Sequence, residues 1–328
     1  MSNCIACDCT LQLQNTGTGC TPLMGITKKP IIVPYYDNEG DVNGIPFSDS
    51  LSQAYFTALI NDTDDSKRWF PLPEVKNVDD NRGDADYEEF DDHTKAFIQE
   101  NVRIFMGEVI GNTATGSASP QMKGKIEAAR CGDIGVFLVD NFGNLIGSIS
   151  SDGLSLNPIK IDPQTVYVKL GKANLKNKTV QKLYITWNYA ITELDENLRM
   201  IACNELGGAD LLGLRGLLTV TSILTNLTQD GFSMKLITNF GTPTNPGLVK
   251  GLTITDFISS DSGTSSTIYN STTETDVDID TVTESPDGTY NFTLDTTQNS
   301  GDVMVPDASH NGFDFSALPD NPWTVPVT

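Results

Sequence analysis

The sequence predicts a mainly β protein with two helices, divided into two domains. Three observations carry this. Short runs rich in Val, Ile, Thr and aromatic residues recur along the chain, separated by Gly, Pro, Asn and Asp. Helical spacing of apolar residues shows in only two stretches. Composition then changes sharply near NELGGADLLGLRG, residues 204–216: from Gly251 to Thr328 there is no Lys or Arg, but there are thirteen acidic residues. At roughly 100–200 residues per domain, 328 residues fit two domains. Gly207-Gly208 reads as a hinge. The divisions expected are an N-terminal arm over 1–22, a first domain over 23–206 and an acidic second domain over 207–328.

The first helix is SDSLSQAYFTALIND, with Leu51, Ala54, Tyr55, Ala58 and Leu59 at helical spacing and Ser48 or Asp49 as cap. Next, KAFIQENVRIFMGEVIG reads as a long hairpin, Lys95–Gly111, turning near Glu100-Asn101. The second helix is SPQMKGKIEAARC. Ser119 suits an N-cap, Pro120 suits the first helical position, and Met122, Ile126 and Ala129 form the inner stripe. IGVFLVDNFGNLIGSIS reads as a buried strand, a turn at Asn141-Phe142-Gly143-Asn144 and a return strand. TVYVKLGKA and TVQKLYITWNYAI are two more strands; in the second, Val180, Leu183, Ile185 and Trp187 are apolar and Gln181, Tyr184, Thr186 and Asn188 wetter.

The second domain has strand signals only: LLTVTSILT, GFSMKLITNFG, LVKGLTITDFIS, STIYNSTTETDVDID and GTYNFTLDTT. Short strands at near-regular spacing suggest an immunoglobulin-like β-sandwich, without the antibody cysteine pair.

Composition and motifs narrow the function. A net charge of −22 makes the chain a poor grasper of nucleic acid, whose affinity rests on cations at phosphates. There is no G-x-S-x-G, P-loop or H-E-x-x-H, and the two histidines, His93 and His310, sit in no nucleophile or metal motif. The expectation is a protein that is not an enzyme and needs no cofactor. DVDID places Asp276, Asp278 and Asp280 on one strand face, yet an EF-hand counted from Asp276 would need Gly and Glu where Thr281 and Asp287 stand. The sequons at Asn61, Asn177, Asn226, Asn270 and Asn291 are ordinary in so Thr-rich a chain.

No segment approaches a membrane span, and the start lacks a secretion signal's basic end and apolar run. That suggests folding in a cytosol, where thiols stay reduced. Four of the six cysteines, Cys4, Cys7, Cys9 and Cys20, open the chain. Cys4-x-x-Cys7 has the spacing of a zinc knuckle, but Cys7-x-Cys9 is tight and Cys20 is single, so an arm lying on its own subunit or on a neighbour is favoured over a metal clip. Cys131 and Cys203 read as small buried hydrophobes.

One resemblance gathers these readings. RWFPLPEVKNVDDNRGDADYEEFDDHTKAFIQENVRIFMGEVIG, followed by PQMKGKIEAARCGDIGVFLVDNFGNLIG, resembles structural proteins of phages infecting Bacteroidetes-type bacteria, and more narrowly those of the tail-tube type. The carrying features are the acidic EEFDD run before a long hairpin, the helix ending near a cysteine, the GNLIG hairpin, and the strands VYVKL and TVQKLYITWNY. The resemblance spans roughly residues 20–205.

It implies a tail-tube-like β-barrel or sandwich domain whose copies stack as hexameric rings around a DNA-conducting channel in the virion tail, assembled in the host cytoplasm. Its partners would be itself, other phage tail proteins and DNA in passage, with host-surface contact through the C-terminal domain. Asp84, Asp86, Glu88, Glu89, Asp91 and Asp92 are the candidates for an acidic channel wall that repels phosphates; solvated loop charges explain them equally well. Two other classes stay open. One is a head decoration, fibre or adhesion protein binding host glycan through Phe313, Phe315 and Trp323, residues that ordinary edge packing also explains. The other is a polysaccharide hydrolase using a carboxylate pair, which cannot be picked out of so acidic a chain.

Overall fold

The computed structural model describes residues 24–327, apart from Thr63, Asp92, Glu100, Ala114, Thr115, Leu175, Asn177, Pro243, Thr244 and Asn311. The cysteines of the N-terminal arm and the acid Asp92 therefore lie outside the described residues. The protein is mainly β with two helices, and its sheets curl into half-barrels. Two compact units meet at Gly216/Leu217, ten residues beyond the division expected from composition.

The longer elements of unit 1 are, in order, β1 (Thr27–Pro34), α1 (Gln53–Ile60), β2 (Lys76–Arg82), β3 (Asp86–Glu89), β4 (Lys95–Gln99), β5 (Arg103–Ile110), α2 (Pro120–Ala128), β6 (Ile134–Asp140), β7 (Leu145–Ile149), β8 (Tyr167–Gly171) and β9 (Lys182–Asn188). One sheet runs from Ile45–Pro46 through Ser155–Asn157, β7, β6 and β1 to Phe70–Pro71, with Ile159–Lys160 and Leu198–Ile201 attached. A second sheet has the order β8-β9-β5-β2.

The core lies between these sheets. Ile32, Val136, Leu138 and Ile146 from the first meet Phe105, Val109, Val168, Leu183, Ile185 and Trp187 from the second. Phe105 and Trp187 stack at 4.1 Å. Every residue of β6 is buried, because the other face of its sheet is covered too: Phe137 stacks on Trp69, which packs on Phe56 of α1. A strand covered on both faces reads as an unbroken apolar run, as IGVFLVD does.

The β6–β7 turn falls where expected. Its anchor is Asp140, fully buried, which accepts hydrogen bonds from the backbone N–H of Phe142 (2.8 Å) and Asn144 (3.0 Å) and from Asn144 Nδ2 (2.8 Å). Helix α2 also begins as expected, with Ser119 accepting from Met122 N and Pro120 at the first position. Ile126 is its buried contact, with Met122 and Ala129 beside it.

Helix α1 is shorter than the sequence suggested. Ser52 caps it, accepting from Tyr55 N, and Phe56 and Ile60 are its buried residues. Asp49, one of the expected caps, instead accepts a hydrogen bond from the Tyr55 hydroxyl at 3.0 Å. The expected stripe was rotated by one position, because a helix this short leaves the buried face to whichever residues meet the sheet.

The hairpin Lys95–Gly111 does not form as expected. β4 pairs with β3, and β5 pairs with β2 and β9. The turn lies at Phe90–Thr94, closed by hydrogen bonds from Phe90 N to Thr94 O and from His93 N to Phe90 O, both 2.9 Å. His93 takes a positive φ of 65° there.

Gly207-Gly208 is no hinge between the units. Residues 207–216 belong to unit 1: Asp210 N bonds Gln53 Oε1 at 2.8 Å, and Lys29 Nζ bonds Leu212 O at 2.8 Å and also Leu214 O. The cysteine expectation fails as well. Cys131 is exposed and free, and Cys203 is buried but disulfide-bonded.

Unit 2 has the longer strands β10 (Leu218–Thr225), β11 (Gly231–Thr242), β12 (Thr267–Asn270), β13 (Thr275–Glu284) and β14 (Thr289–Leu294). They join in one nine-stranded sheet ordered Phe313–Asp314, β10, β11, β14, β13, β12, Val303–Val305, Trp323–Thr324, with Asn245–Leu248 on β11. It curls around Val220, Phe232, Met234, Tyr290, Phe292, Met304 and Trp323.

STIYNSTTETDVDID folds back on itself as β12 and β13, because Asn270 Oδ1 accepts from the N–H groups of Thr272 and Thr273. LVKGLTITDFIS leaves the sheet after Leu248 and instead makes a single 3-10 turn, Ile254–Asp256. Asp256 holds that turn by accepting from Thr253 N at 2.6 Å. The strands over 303–305, 313–314 and 323–324 are too short for a periodic signal.

Candidate functional site

β2, β3, β4 and β5 build one projecting arm. Arg82 stands opposite Arg103, and four residues further along each strand Asp86 stands opposite Gln99. The same register thus passes through the break at 83–85 and 100–102. Asn101, expected at a turn, sits at this break, where its carbonyl accepts from Arg82 Nη1 at 3.0 Å and its side-chain amide donates to Asp84 O. From Arg82 to Phe90 the extended backbone can span at most about 25 Å.

The arm carries the acidic candidates. Asp84 precedes β3, Asp86, Glu88 and Glu89 lie in β3, and Asp91 lies in the end turn; all five are exposed. Asp86 and Glu88 share a face, as two-residue spacing requires. Both faces of β3 are wet, since all four of its residues are exposed. Glu89 is met by Lys95 Nζ at 3.8 Å and His93 Nδ1 at 3.2 Å. Tyr87 and Phe90 stand 55% and 47% exposed among these charges.

The base of the arm is fixed by groups that the sequence reading overlooked. Arg103 grips Asp80 with two prongs, Nε to Oδ1 and Nη2 to Oδ2, each 2.8 Å, and its guanidinium lies 5.0 Å from the centre of the Tyr189 ring. Burial raises the Asp80 carboxyl above its ordinary range despite the pull of Arg103. Burial also drives the Tyr189 hydroxyl well up. Arg82 donates to Asp195 Oδ2 (3.0 Å), to Asp195 Oδ1 (3.2 Å) and to Glu193 O (2.9 Å). The available signal was the spacing of Asp80 and Arg82, two charges on one face of a strand entering a core.

A second signal also went unread. Between Pro163 and Thr192 there are five lysines, Lys169, Lys172, Lys176, Lys178 and Lys182, and no acid. Lys182 bonds Glu108 at 2.8 Å, while the other four are exposed around the β8–β9 turn. Because Lys182 lies opposite Ile110 and Gly171 opposite Lys182, this turn leaves the sheet at the end remote from the arm.

The other candidates resolve simply. Phe315 and Trp323 are buried and Phe313 packs against the same core, so these aromatics form no exposed platform. Asp276 and Asp278 point outward from β13 while Val277 and Ile279 point inward, and Asp276 accepts from the hydroxyls of Ser259 and Ser262. His310 faces Asp256 at 2.9 Å. Among the described residues, the carboxylates near enough to share a cation are Asp37, Glu39 and Asp41, and Asp37 already accepts from Glu39 N and Asp41 N at 2.9 Å. No described helix is long and apolar enough to cross a membrane.

Comparison with protein-family models, curated proteins and solved structures finds no match to this chain.

Proposed function

We propose that this chain is a phage virion structural protein of the tail-tube type, whose copies assemble into stacked rings around a DNA-conducting channel, with the second unit as an immunoglobulin-like addition facing outward. The observation that supports it most is the outward face of the β8-β9-β5-β2 sheet. Ile104, Met106, Tyr167 and Tyr184 stand there 40–52% exposed. Among the described residues, β8 and β2 end the sheet with no further strand paired to them.

A curled sheet that exposes four large apolar side chains on its outer face, and whose end strands pair with no further described strand, is a surface that neighbouring copies would complete. The chain's net charge of −22 suits such an assembly, because an acidic channel wall repels the phosphates of passing DNA. The glycan-binding alternative has lost the aromatics it relied on.

Electron microscopy and analytical ultracentrifugation of the purified full chain test the reading. Rings or tubes with an axial channel are expected. A monomer at every concentration, or assemblies without a channel, would exclude it.

A further inference from the structure

The two charged features of unit 1 are opposite in sign and lie at opposite ends of one sheet. Asp84, Glu88 and Asp91 occupy the arm, beyond the Arg82/Arg103 end of β2 and β5. Lys172, Lys176 and Lys178 occupy the β8–β9 turn, beyond the Ile110/Lys182 end. Within one copy the sheet separates them: β5 alone, Arg103–Ile110, is eight residues long, which is about 27 Å. They cannot neutralise each other in the same subunit.

We infer that copies of this chain join head to tail, with the acidic arm of one seated on the lysine turn of the next. This rests on the self-assembly reading above and names the surfaces that carry it. Three considerations favour a second copy as the occupant. In a chain of net charge −22, a run of 30 residues with five lysines and no acid is a local inversion of sign, and the acidic arm is its complement. At physiological salt the Debye length is about 8 Å, so repulsion between whole molecules is screened while facing patches still attract. Each patch also holds exposed apolar surface, Tyr87 and Phe90 on the arm and Val180, 52% exposed, on the turn, and contact would cover it. Because the two surfaces differ, the contact is heterologous and propagates, as stacking requires.

The test is charge exchange in the full chain. One variant carries Asp84→Lys, Glu88→Lys and Asp91→Lys; the other carries Lys172→Glu, Lys176→Glu and Lys178→Glu. Circular dichroism and melting establish that both fold, since all six positions are exposed. Sedimentation velocity then measures assembly. Each variant alone should need at least about tenfold more protein to assemble than the wild type, from loss of the complementary contact. An equimolar mixture should recover assembly, because the reversed arm of one fits the reversed turn of the other. Wild-type assembly should also weaken as salt rises from about 50 to about 500 mM.

Assembly untouched by either reversal, or lost in both and not restored by mixing, would overturn the head-to-tail contact while leaving self-assembly standing. A wild type that never assembles would instead remove the functional reading itself.

Discussion

Arg103 and Asp80 meet diagonally across β5 and β2 at the base of the arm, joined by two parallel hydrogen bonds of 2.8 Å. Both side chains are nearly enclosed, 14% and 11% exposed. A pair taken this far out of water contributes little net stability while intact, but leaves a costly orphan when one partner is removed.

Arg103→Ala should therefore destabilise the protein by about 3 kcal/mol in urea unfolding. The remaining Asp80 carboxyl, already raised by burial, would lose the cation holding it down. A carboxyl whose folded pKa lies above its unfolded value binds protons more readily in the folded state. Folding is then favoured as pH falls through that window and disfavoured above it. The deficit of Arg103→Ala should accordingly shrink on acidification toward pH 4. In the double variant with Asp80→Asn much of the loss should return. An equal deficit at every pH would mean that the arginine acts by packing alone.

Lys29 ties residues 207–216 into unit 1. It is fully buried, donates to Leu212 O and Leu214 O, and burial lowers its ammonium to about 8. Lys29→Met keeps the length of the side chain but leaves both carbonyls without this donor. Trypsin cleavage after the exposed Arg215 should then accelerate by about tenfold, because local opening becomes cheaper. Unchanged cleavage would show that the segment is held by other contacts.

Gly207 and Gly208 make a paired test of the same segment. Both have positive φ, 59° and 80°. A Cβ on Gly207 would fall 2.0 Å from Leu51 O, whereas one on Gly208 meets open space. Gly208→Ala should cost only the backbone penalty of about 1 kcal/mol. Gly207→Ala must also displace backbone and should cost more than about 2 kcal/mol in the same unfolding assay. Equal costs would mean that the turn against Leu51 yields freely.

These residues also mark how far the sequence could be read. The strands of IGVFLVD and LYITWNY and the cap at Ser119 were legible because local chemistry decides them. The partner of Lys95–Gln99 was not. Two polar dipeptides, Glu100-Asn101 and Asp91-Asp92, both look like turns, and only pairing with β2 and β3 chooses between them. Gly207-Gly208 looked like a linker for a similar reason: positive φ serves a docked turn as well as a hinge. The acidic candidates were found by composition, but their place on an arm came from register. The lysine turn was visible as a sign change once short windows, rather than whole domains, were compared.

Asp307 gives a pH signature to unit 2. Asp307 lies beside a small void lined by Phe232, Met234, Phe257, Ile268, Ile279 and Phe292, and burial pushes its carboxyl up to about 6. In the unfolded chain it would ionise near its ordinary value of 3.8. As pH rises between these two values, the unfolded state has released its proton and the folded state still holds one. Stability therefore falls through this window, and the penalty is complete above about 6. The whole shift corresponds to about 3 kcal/mol, which solvent at the exposed part of the carboxyl reduces to roughly 1–2 kcal/mol. Asp307→Asn removes the charge and keeps an oxygen to accept from Ala308 N, a bond of 2.7 Å. At pH 7.5 it should raise the melting temperature of this unit by roughly 5–10 °C in calorimetry of the full chain. At pH 4, where the native carboxyl is already protonated, the two proteins should melt nearly together. A gain of the same size at both pH values would place its origin in packing rather than in the buried charge.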